Sequence, residues 1–303
     1  IASAGEYAFN QQINAIVPNE KVQSKYLAYN LLYNKPRLVA MANAPVVPII
    51  NKRQFGEFIV NIETDIGRQV KIVNVLDRLT HIIRLSKQEL EKLDELIKAR
   101  FVEMFGDSAS NEKGWKMNTF GDICTVRQGL QIPISKRLTE YEEDSYEYIT
   151  VQYLHGGKEK EYIKSPKESV KCTKDDILMT RTGNTGMVVT NVEGVFHNNF
   201  FLIDFDRERF EKDFLVEYLN LDLIQADITR RAGTSTIPDL NHGEFYKIKV
   251  FEPPIDLQKE FDEFKMQVDK SKVAVQKALD EVVVVGYGSQ KKVNVIGSIA
   301  SVD

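Results

Sequence analysis

Apolar positions follow two rhythms along this chain, and the slower one marks its longest uninterrupted stretch. From Ile66 to Phe105 there is no proline, and the one glycine, Gly67, lies in the first turn. Ile72, Leu76, Leu79, Ile83, Ser86, Leu90, Leu93 and Ile97 recur at steps of four and three, the 3.5-residue repeat of a coiled-coil seam. At about 1.5 Å per residue such a helix is roughly 60 Å long. Its narrow apolar stripe needs a second helix as cover. Leu257, Phe261, Phe264, Val268, Ser271, Val275 and Ala278 carry a matching seam. Two such seams in one chain predict an antiparallel pair, with serine as a small polar interruption in each.

The faster rhythm, period two, fills the rest. Residues 9–17 suit a short strand, residues 22–34 have helical spacing, and the Pro-punctuated residues 42–60 read as loop and strand. Gly106-Asp107 stops the first long helix, and residues 108–115 are a linker by composition. From Trp115 a series of β-branched and aromatic segments with turns between them predicts strands. Residues 210–229 are helical in pattern, followed by the small-residue loop RRAGTSTIPDLNHGEF, a short strand and Pro253-Pro254.

The chain repeats itself. Phe9-Asn10-Gln11-Gln12 answers Phe196-His197-Asn198-Asn199, Tyr26-Leu27 answers Phe214-Leu215, and Pro48, Asn51 and Phe55 answer Pro238, Asn241 and Phe245. The long helices overlay either at an offset of 189, which superposes Gln69 and Gln258, or at 185, which superposes the seams. The predicted class is α+β, with mixed α/β domains joined by long antiparallel coiled-coil helices. The predicted segments are residues 1–60, the helix 61–106, a second domain 107–252, a second helix 253–280 and a β-prone tail 281–303. The opening residues read as the middle of a domain, consistent with a fragment or processed product without a secretory signal.

Composition narrows the function classes. A net charge of −4 argues against a strongly cationic polyanion binder, although local clusters rather than totals set the field at an interface. Cys124 and Cys172 lack CxxC spacing, and four histidines form no HExxH, so free thiols and no metal site are predicted. There is no phosphate-binding GxxxxGK[ST] loop, and Gly286-Tyr-Gly288 lacks the third glycine of a dinucleotide loop. The Pro-Pro pair sits in EPPI, better read as a helix start than as a base-methylating motif. Pro238-Asp239 with Glu244 and Lys247 is spaced one residue too long for a nuclease cluster. No apolar run approaches the roughly 18 residues of a spanning helix.

Binding chemistry is better represented. Arg127, Gln128, Gln131, Lys136 and Arg137 lie in one Gly/Pro-containing loop, and Arg181, Thr182 and Asn184 close a strand. Asn198 and Asn199 follow His197, while Arg230, Arg231, Thr234, Ser235 and Thr236 lie between a helix and a strand. Arginine reads guanine and Asn or Gln reads adenine in the major groove, whereas Lys, Ser and Thr suit phosphates. Each cluster alone is compatible with a hairpin turn or solvated loop; four in one domain favour nucleic acid. A coiled-coil scaffold that binds protein without DNA is the competing reading, and net acidity favours it.

FVEMFGD after a long helix, Gly114-Trp115, Gly121-Asp122-Ile123, KDDILMTRTGNTG, GTSTIPDLNHGEF and PPIDLQKEF together resemble the specificity (S) subunits of type I restriction–modification systems. The likeness extends over residues 1 to about 280. It implies recognition domains that each read half of a split double-stranded DNA site, and paired helices that act as a spacer ruler. It further implies a cytoplasmic, non-catalytic subunit without a cofactor of its own. Methyltransferase (M) subunits would dock on the helices and bring S-adenosylmethionine, restriction (R) subunits would join through the complex, and no membrane is involved. The resemblance also implies that the first domain lacks its N-terminal half. Residues 280–303 instead resemble the start of the plug domain of TonB-dependent outer-membrane receptors. Their VVVV run favours strand, which predicts that the second helix ends near Asp280 and that the tail packs poorly or adds an edge strand. It also leads to the expectation that the first helix lacks an intramolecular partner from Ile97 onward.

Overall fold

The computed structural model describes residues 5–42, 49–233 and 238–287, with side chains as far as Val282. The chain forms two compact units: residues up to Leu93 together with those from Lys270 onward, and Asp94–Asp269. Two long helices pass through both.

In the first unit α1 (Ser24–Tyr33), α2 (Lys35–Met41) and α3 (Lys52–Gly56) precede α4 (Ile66–Phe105). Two strand expectations fail here. Residues 9–17 form no strand: all the described strands lie in the second unit, so none is available to pair with, and Val17 is 92% exposed. Residues 52–56 are helical because Asn51 Oδ1 accepts from Gln54 N–H (2.9 Å) while Gln54 Oε1 accepts from Asn51 N–H (3.2 Å). That reciprocal cap satisfies two donors that a helix start otherwise leaves open.

The second unit opens with β1 (Lys116–Thr119), α5 (Phe120–Ile123), β2 (Cys124–Gln128), β3 (Ser145–Ile149), α6 (Val151–Leu154) and β4 (Tyr162–Lys164). It continues through β5 (Lys171–Cys172), β6 (Ile177–Thr180), β7 (Val188–Val189), β8 (Gly194–Phe196) and β9 (Phe200–Phe205). Helices α7 (Lys212–Leu219), α8 (Asp222–Ala232) and α9 (His242–Tyr246), strand β10 (Lys249–Glu252) and helix α10 (Ile255–Tyr287) close the chain. One sheet has the order β2-β9-β6-β7, a second β4-β3-β8-β5, and β1 pairs with β10 alone. Both four-stranded sheets supply the buried cluster Ile149, Cys172, Leu178, Phe196, Phe200 and Leu202. Both cysteines are free and buried, and burial pushes each thiol up to about 12.

The long helices run antiparallel. Ile83 of α4 and late Leu279 of α10 form a buried pair with Leu90 and Val282 against it in the first unit. In the second unit Phe101 and Phe105, at the end of α4, meet early Phe261 edge-to-face at 5.3 and 5.6 Å. Phe214 of α7 completes this aromatic group, and all four rings are fully buried. The end of α4 is therefore the better covered end, against expectation. Antiparallel pairing sets it beside the start of α10, not beside its end.

The seam also shifts in detail. Ile83, Phe261 and Val268 are buried, and Leu76, Leu79, Leu90, Leu93, Phe264 and Val275 half-buried, as a seam requires. Ile72, however, is 40% exposed and its neighbour Val73 only 4%, because the step back from Leu76 is three and the next, to buried Gln69, is four. In α10 Leu257 is half-buried beside fully buried Gln258, and Leu279 rather than Ala278 faces inward. Helix α10 does not end near Asp280 but runs to Tyr287, carrying the VVVV residues in helical form. Continued i→i−4 bonding overrides β propensity there. The rest of the predicted tail, 288–303, lies outside the described residues.

The linker is a cap. Gly106 takes φ +83°, a conformation open to glycine, as the helix ends. Lys113 Nζ then donates to the Glu103 carbonyl (2.8 Å) and the Trp115 indole N–H to that of Phe105 (2.8 Å).

The 189-residue overlay is the one that structure supports, since Gln69 and Gln258 do the same work. Gln69 Oε1 accepts from Gln23 N–H (2.8 Å), and its Nε2 donates to the carbonyls of Lys21 (3.1 Å) and Glu63 (2.6 Å). Gln258 Oε1 accepts from Glu211 N–H (2.9 Å), and its Nε2 donates to the carbonyls of Arg209 (3.0 Å) and Pro253 (2.9 Å). Gln23 and Glu211 are the N-cap residues of α1 and α7. Replacing Gln258 with Leu strands buried backbone groups, each worth about 1–3 kcal/mol. Urea denaturation of Gln258→Leu should accordingly lose at least about 2 kcal/mol.

Asp262, two-thirds along the first turns of α10 toward Lys265, is a second test. Burial, then the Asp213 and Glu211 carboxylates, push it up to about 7, and its Oδ1 has no hydrogen-bond partner among the described residues. Between its ordinary value and 7 the folded chain holds a proton that the unfolded chain does not, so stability rises as pH falls from 8 toward 5. Asp262→Asn should flatten that part of the stability–pH curve, as measured by denaturant midpoints at each pH.

Candidate nucleic-acid interface

The turn 197–199, between β8 and β9, is the hub at which the predicted polar clusters meet. Its His197 ring lies 5.8 Å from that of Tyr148. Burial and the nearby Arg137 charge hold His197 below its ordinary value, so a neutral ring accepts Asn199 N–H at Nδ1 (3.1 Å). Asn198 Oδ1 is buried and has no hydrogen-bond partner among the described residues.

Arg127 and Gln128 lie not in a loop but in β2, whose ladder with β9 runs on to Gln128 opposite Phe201, and the segment 129–137 that follows comes to this hub through backbone contacts. Gly129 N–H donates to the Phe200 carbonyl (3.1 Å) and Leu130 N–H to that of Phe196 (3.1 Å). A Cβ on Gly129 would sit 2.3 Å from the carbonyl oxygens of Phe196 and His197, so only glycine allows the approach. Tyr148, from β3, donates its hydroxyl to the Leu130 carbonyl (2.8 Å) and accepts from Ile132 N–H (3.0 Å). Arg137 lies over the Tyr148 ring at 5.0 Å, donates to the Ile132 carbonyl and pairs with Glu161 at 3.0 Å. Held in this way, the end of β2 and the segment after it expose Gln128, Gln131 and Lys136, along with Ile134. Arg127, half-buried, donates to the Ser169 carbonyl at 3.2 Å.

The second cluster reaches the hub from β6. Arg181 N–H donates to the Asn199 carbonyl at 2.7 Å, and the Arg181 carbonyl accepts from Leu240 N–H at 2.9 Å. Its guanidinium grips Asp239 with two bonds, Nε–Oδ1 2.9 Å and Nη2–Oδ2 2.7 Å. Thr182 bridges the Asp239 backbone, Thr185 donates to the carbonyls of Arg181 and Pro238, and Asn184 is exposed at the tip. The fourth cluster joins through Asp239 N–H, which donates to the Ala232 carbonyl (3.2 Å) at the end of α8. There Arg231 is tied to Asp227 and Glu244, while Arg230 projects into solvent with a single pairing to Asp227. Thr234, Ser235 and Thr236 lie outside the described residues.

Three of the arginines, 137, 181 and 231, are thus each less than a fifth exposed and matched to carboxylates. Glu161 and Tyr148 were not singled out by the sequence, and Asp239 was weighed only as part of a nuclease-like cluster, not as the partner of Arg181. Aromatic and acidic residues many positions from their partners carry no local signal. Asp239 and Glu244, which loosely suggest a nuclease, are occupied with Arg181 and with Arg231 and Lys247.

The second unit thus combines a two-sheet core, polar segments tied to the 197–199 turn and the facing ends of two long helices. The chain belongs to the type I restriction modification DNA specificity domain family, whose model matches residues 1–95 and 112–283. It is 21% identical over 193 residues to the type I restriction enzyme MjaVIII specificity subunit of Methanocaldococcus jannaschii, covering 63% of this chain and 44% of that one. The chain therefore spans less than half the length of that curated relative. Its fold is similar to that of the type I restriction–modification S subunit from M. genitalium, with a TM-score of 0.58 at 17% identity, covering 92% of this chain and 73% of that one. It is also similar to a chain from a structure concerned with complex assembly and conformational transition of the type I R-M system, with a TM-score of 0.55 at 15% identity, covering 90% and 69%. Among the described residues no helix is long and apolar enough to cross a membrane.

The close approach at Gly129 gives the test of this geometry. Gly129→Ala must push the loop off backbone carbonyls, a clash costing about 1–3 kcal/mol. Thermal denaturation should report that loss, and limited trypsin digestion should cut faster after Lys136 and Arg137.

Proposed function

We propose that this chain reads DNA sequence as a non-catalytic specificity subunit, with the loops around the 197–199 turn facing one half of a split site. The observation carrying this reading is that two polar clusters are hydrogen-bonded at the 197–199 turn and a third joins them through Asp239, each of the three stiffened by an arginine–carboxylate pair. Stiff loops lose little entropy on binding, so their exposed ends contribute more of their contact energy to affinity and discrimination. In this division of labour Arg137, Arg181 and Arg231 brace. Gln128, Gln131, Asn184 and Asn199 are candidates for base edges, and Lys136 and Arg230 for phosphates.

The paired helices would carry methyltransferase subunits, with restriction subunits joining through the complex. S-adenosylmethionine and the methyl-transfer chemistry would belong to the methyltransferase, and no cofactor to this chain. Family membership and the helix pair support these partners, and the same family reading suggests the cytoplasm as the site of action.

Duplex binding by the complex, titrated in salt, tests the reading. Affinity should fall linearly with log salt, and Lys136→Ala should weaken all sequences alike while lowering the slope by about 1. Gln131→Ala should relax preference at one position by about 1–3 kcal/mol. Binding indifferent to salt would sink the proposal.

A further inference from the structure

The two units share a socket and differ in the charges beside it. In each, a short helix is seated with its N-cap N–H on a buried glutamine of a long helix: α1 on Gln69 of α4, and α7 on Gln258 of α10. Eight residues past Gln69 and seven past Gln258 lies a charged residue, met by two residues of the short helix four positions apart. In the first unit that residue is Asp77, paired with Lys25 at 2.7 Å and accepting from the Tyr29 hydroxyl at 2.7 Å. In the second it is Lys265, paired with Asp213 at 3.1 Å and Glu217 at 3.0 Å. On the short helices Lys25 and Tyr29 correspond to Asp213 and Glu217 at the 188-residue offset that also relates the N-caps Gln23 and Glu211, whereas Lys265 stands one residue nearer its glutamine than Asp77 does. The contact recurs with its charge sense reversed: an acid on α4 faces a lysine and a tyrosine of α1, and a lysine on α10 faces two acids of α7.

We propose that this reversal makes docking selective: each short helix recognises its own long helix and is refused by the other, whether in the same chain or in a second copy. The glutamine socket offers the same acceptor and donors to either N-cap, so it cannot discriminate. The charges can. An exchanged pairing sets Lys25 against Lys265, which is 8% exposed and would lose both its carboxylates, and sets Asp213 and Glu217 against Asp77. At the buried Lys265 contact like charges reject the wrong partner more strongly than the right pair rewards the correct one, while the more exposed Lys25–Asp77 contact contributes less. The inference concerns assembly of the chain with itself and stands apart from DNA reading.

The test uses the full chain. Lys25→Asp/Tyr29→Glu/Asp77→Lys gives the first unit the charge sense of the second, preserving its own pairing while abolishing discrimination. Differently tagged copies are unfolded, mixed and refolded, and exchanged dimers are counted by tandem affinity capture and size-exclusion light scattering. The triple variant should refold with a denaturation midpoint above that of Asp77→Lys alone and yield at least threefold more exchanged dimer than wild type. Adding Asp213→Lys, Glu217→Tyr and Lys265→Asp restores opposite senses and should return exchange to the wild-type level. Equal exchange in wild type and triple variant overturns the proposal. So does a triple variant that fails to refold, because a socket common to both units must accept either charge sense.

Discussion

A primary amide buried at the base of each long helix is the constraint on which the architecture depends. An isolated 40-residue amphipathic helix has no reason to hold a globular unit at any fixed point along its length. Gln69 and Gln258 remove that freedom, because each joins a helix N-cap and two chain carbonyls to one position on the rod. Burial makes the arrangement stringent: a displacement of one residue would leave the amide and its three partners unsatisfied in a dry setting. Side-chain amides suit the role since they donate and accept at once without carrying charge into the core.

Around that point the second unit is organised from aromatic packing outward. Phe101, Phe105, Phe214 and Phe261 close the contact between the two long helices and α7. Toward the sheets, Phe251 and Tyr218 continue the same ring-to-ring contacts, 5.0 Å apart and edge-on. Arg209, Asn118 and Glu252 lie on the polar side of this core, and the Arg209 hydrogen bonds hold the Glu252 carboxyl down to about 2. At the far end of the sheets, side chains that might have been free for ligands are consumed in fixing loops. Rigidity is therefore carried from the helix base to the polar turn through packed and paired groups.

Much of this was legible in residues, and the failures are specific. A coiled-coil period survives local noise, so both long helices and their antiparallel pairing could be read. One-residue choices could not: Ile72 and Val73 are adjacent aliphatics, and only the position of Gln69 decides which faces inward. Residues 9–17 have the pattern of a strand, but a strand is a relation with a neighbour, and among the described residues no strand pairs with them. The polar loops were found as clusters, whereas the division into braces and exposed contacts was not. Arg181 and Asp239 lie 58 residues apart in sequence and meet only in the folded chain.

The capped end of α4 has a mechanical meaning. Trp115 and Lys113 occupy the final carbonyls of the helix, and one residue later β1 enters a ladder with β10, which leads through Pro253 and Pro254 into α10. The exit of one long helix and the entry of the other are thus hinged to nothing; they are spliced. A twist applied to either rod at this junction has no slack segment in which to dissipate, and it must be taken up by the two-stranded ladder itself. The junction couples the facing helix ends to the sheet-bearing unit through capped carbonyls and ladder hydrogen bonds.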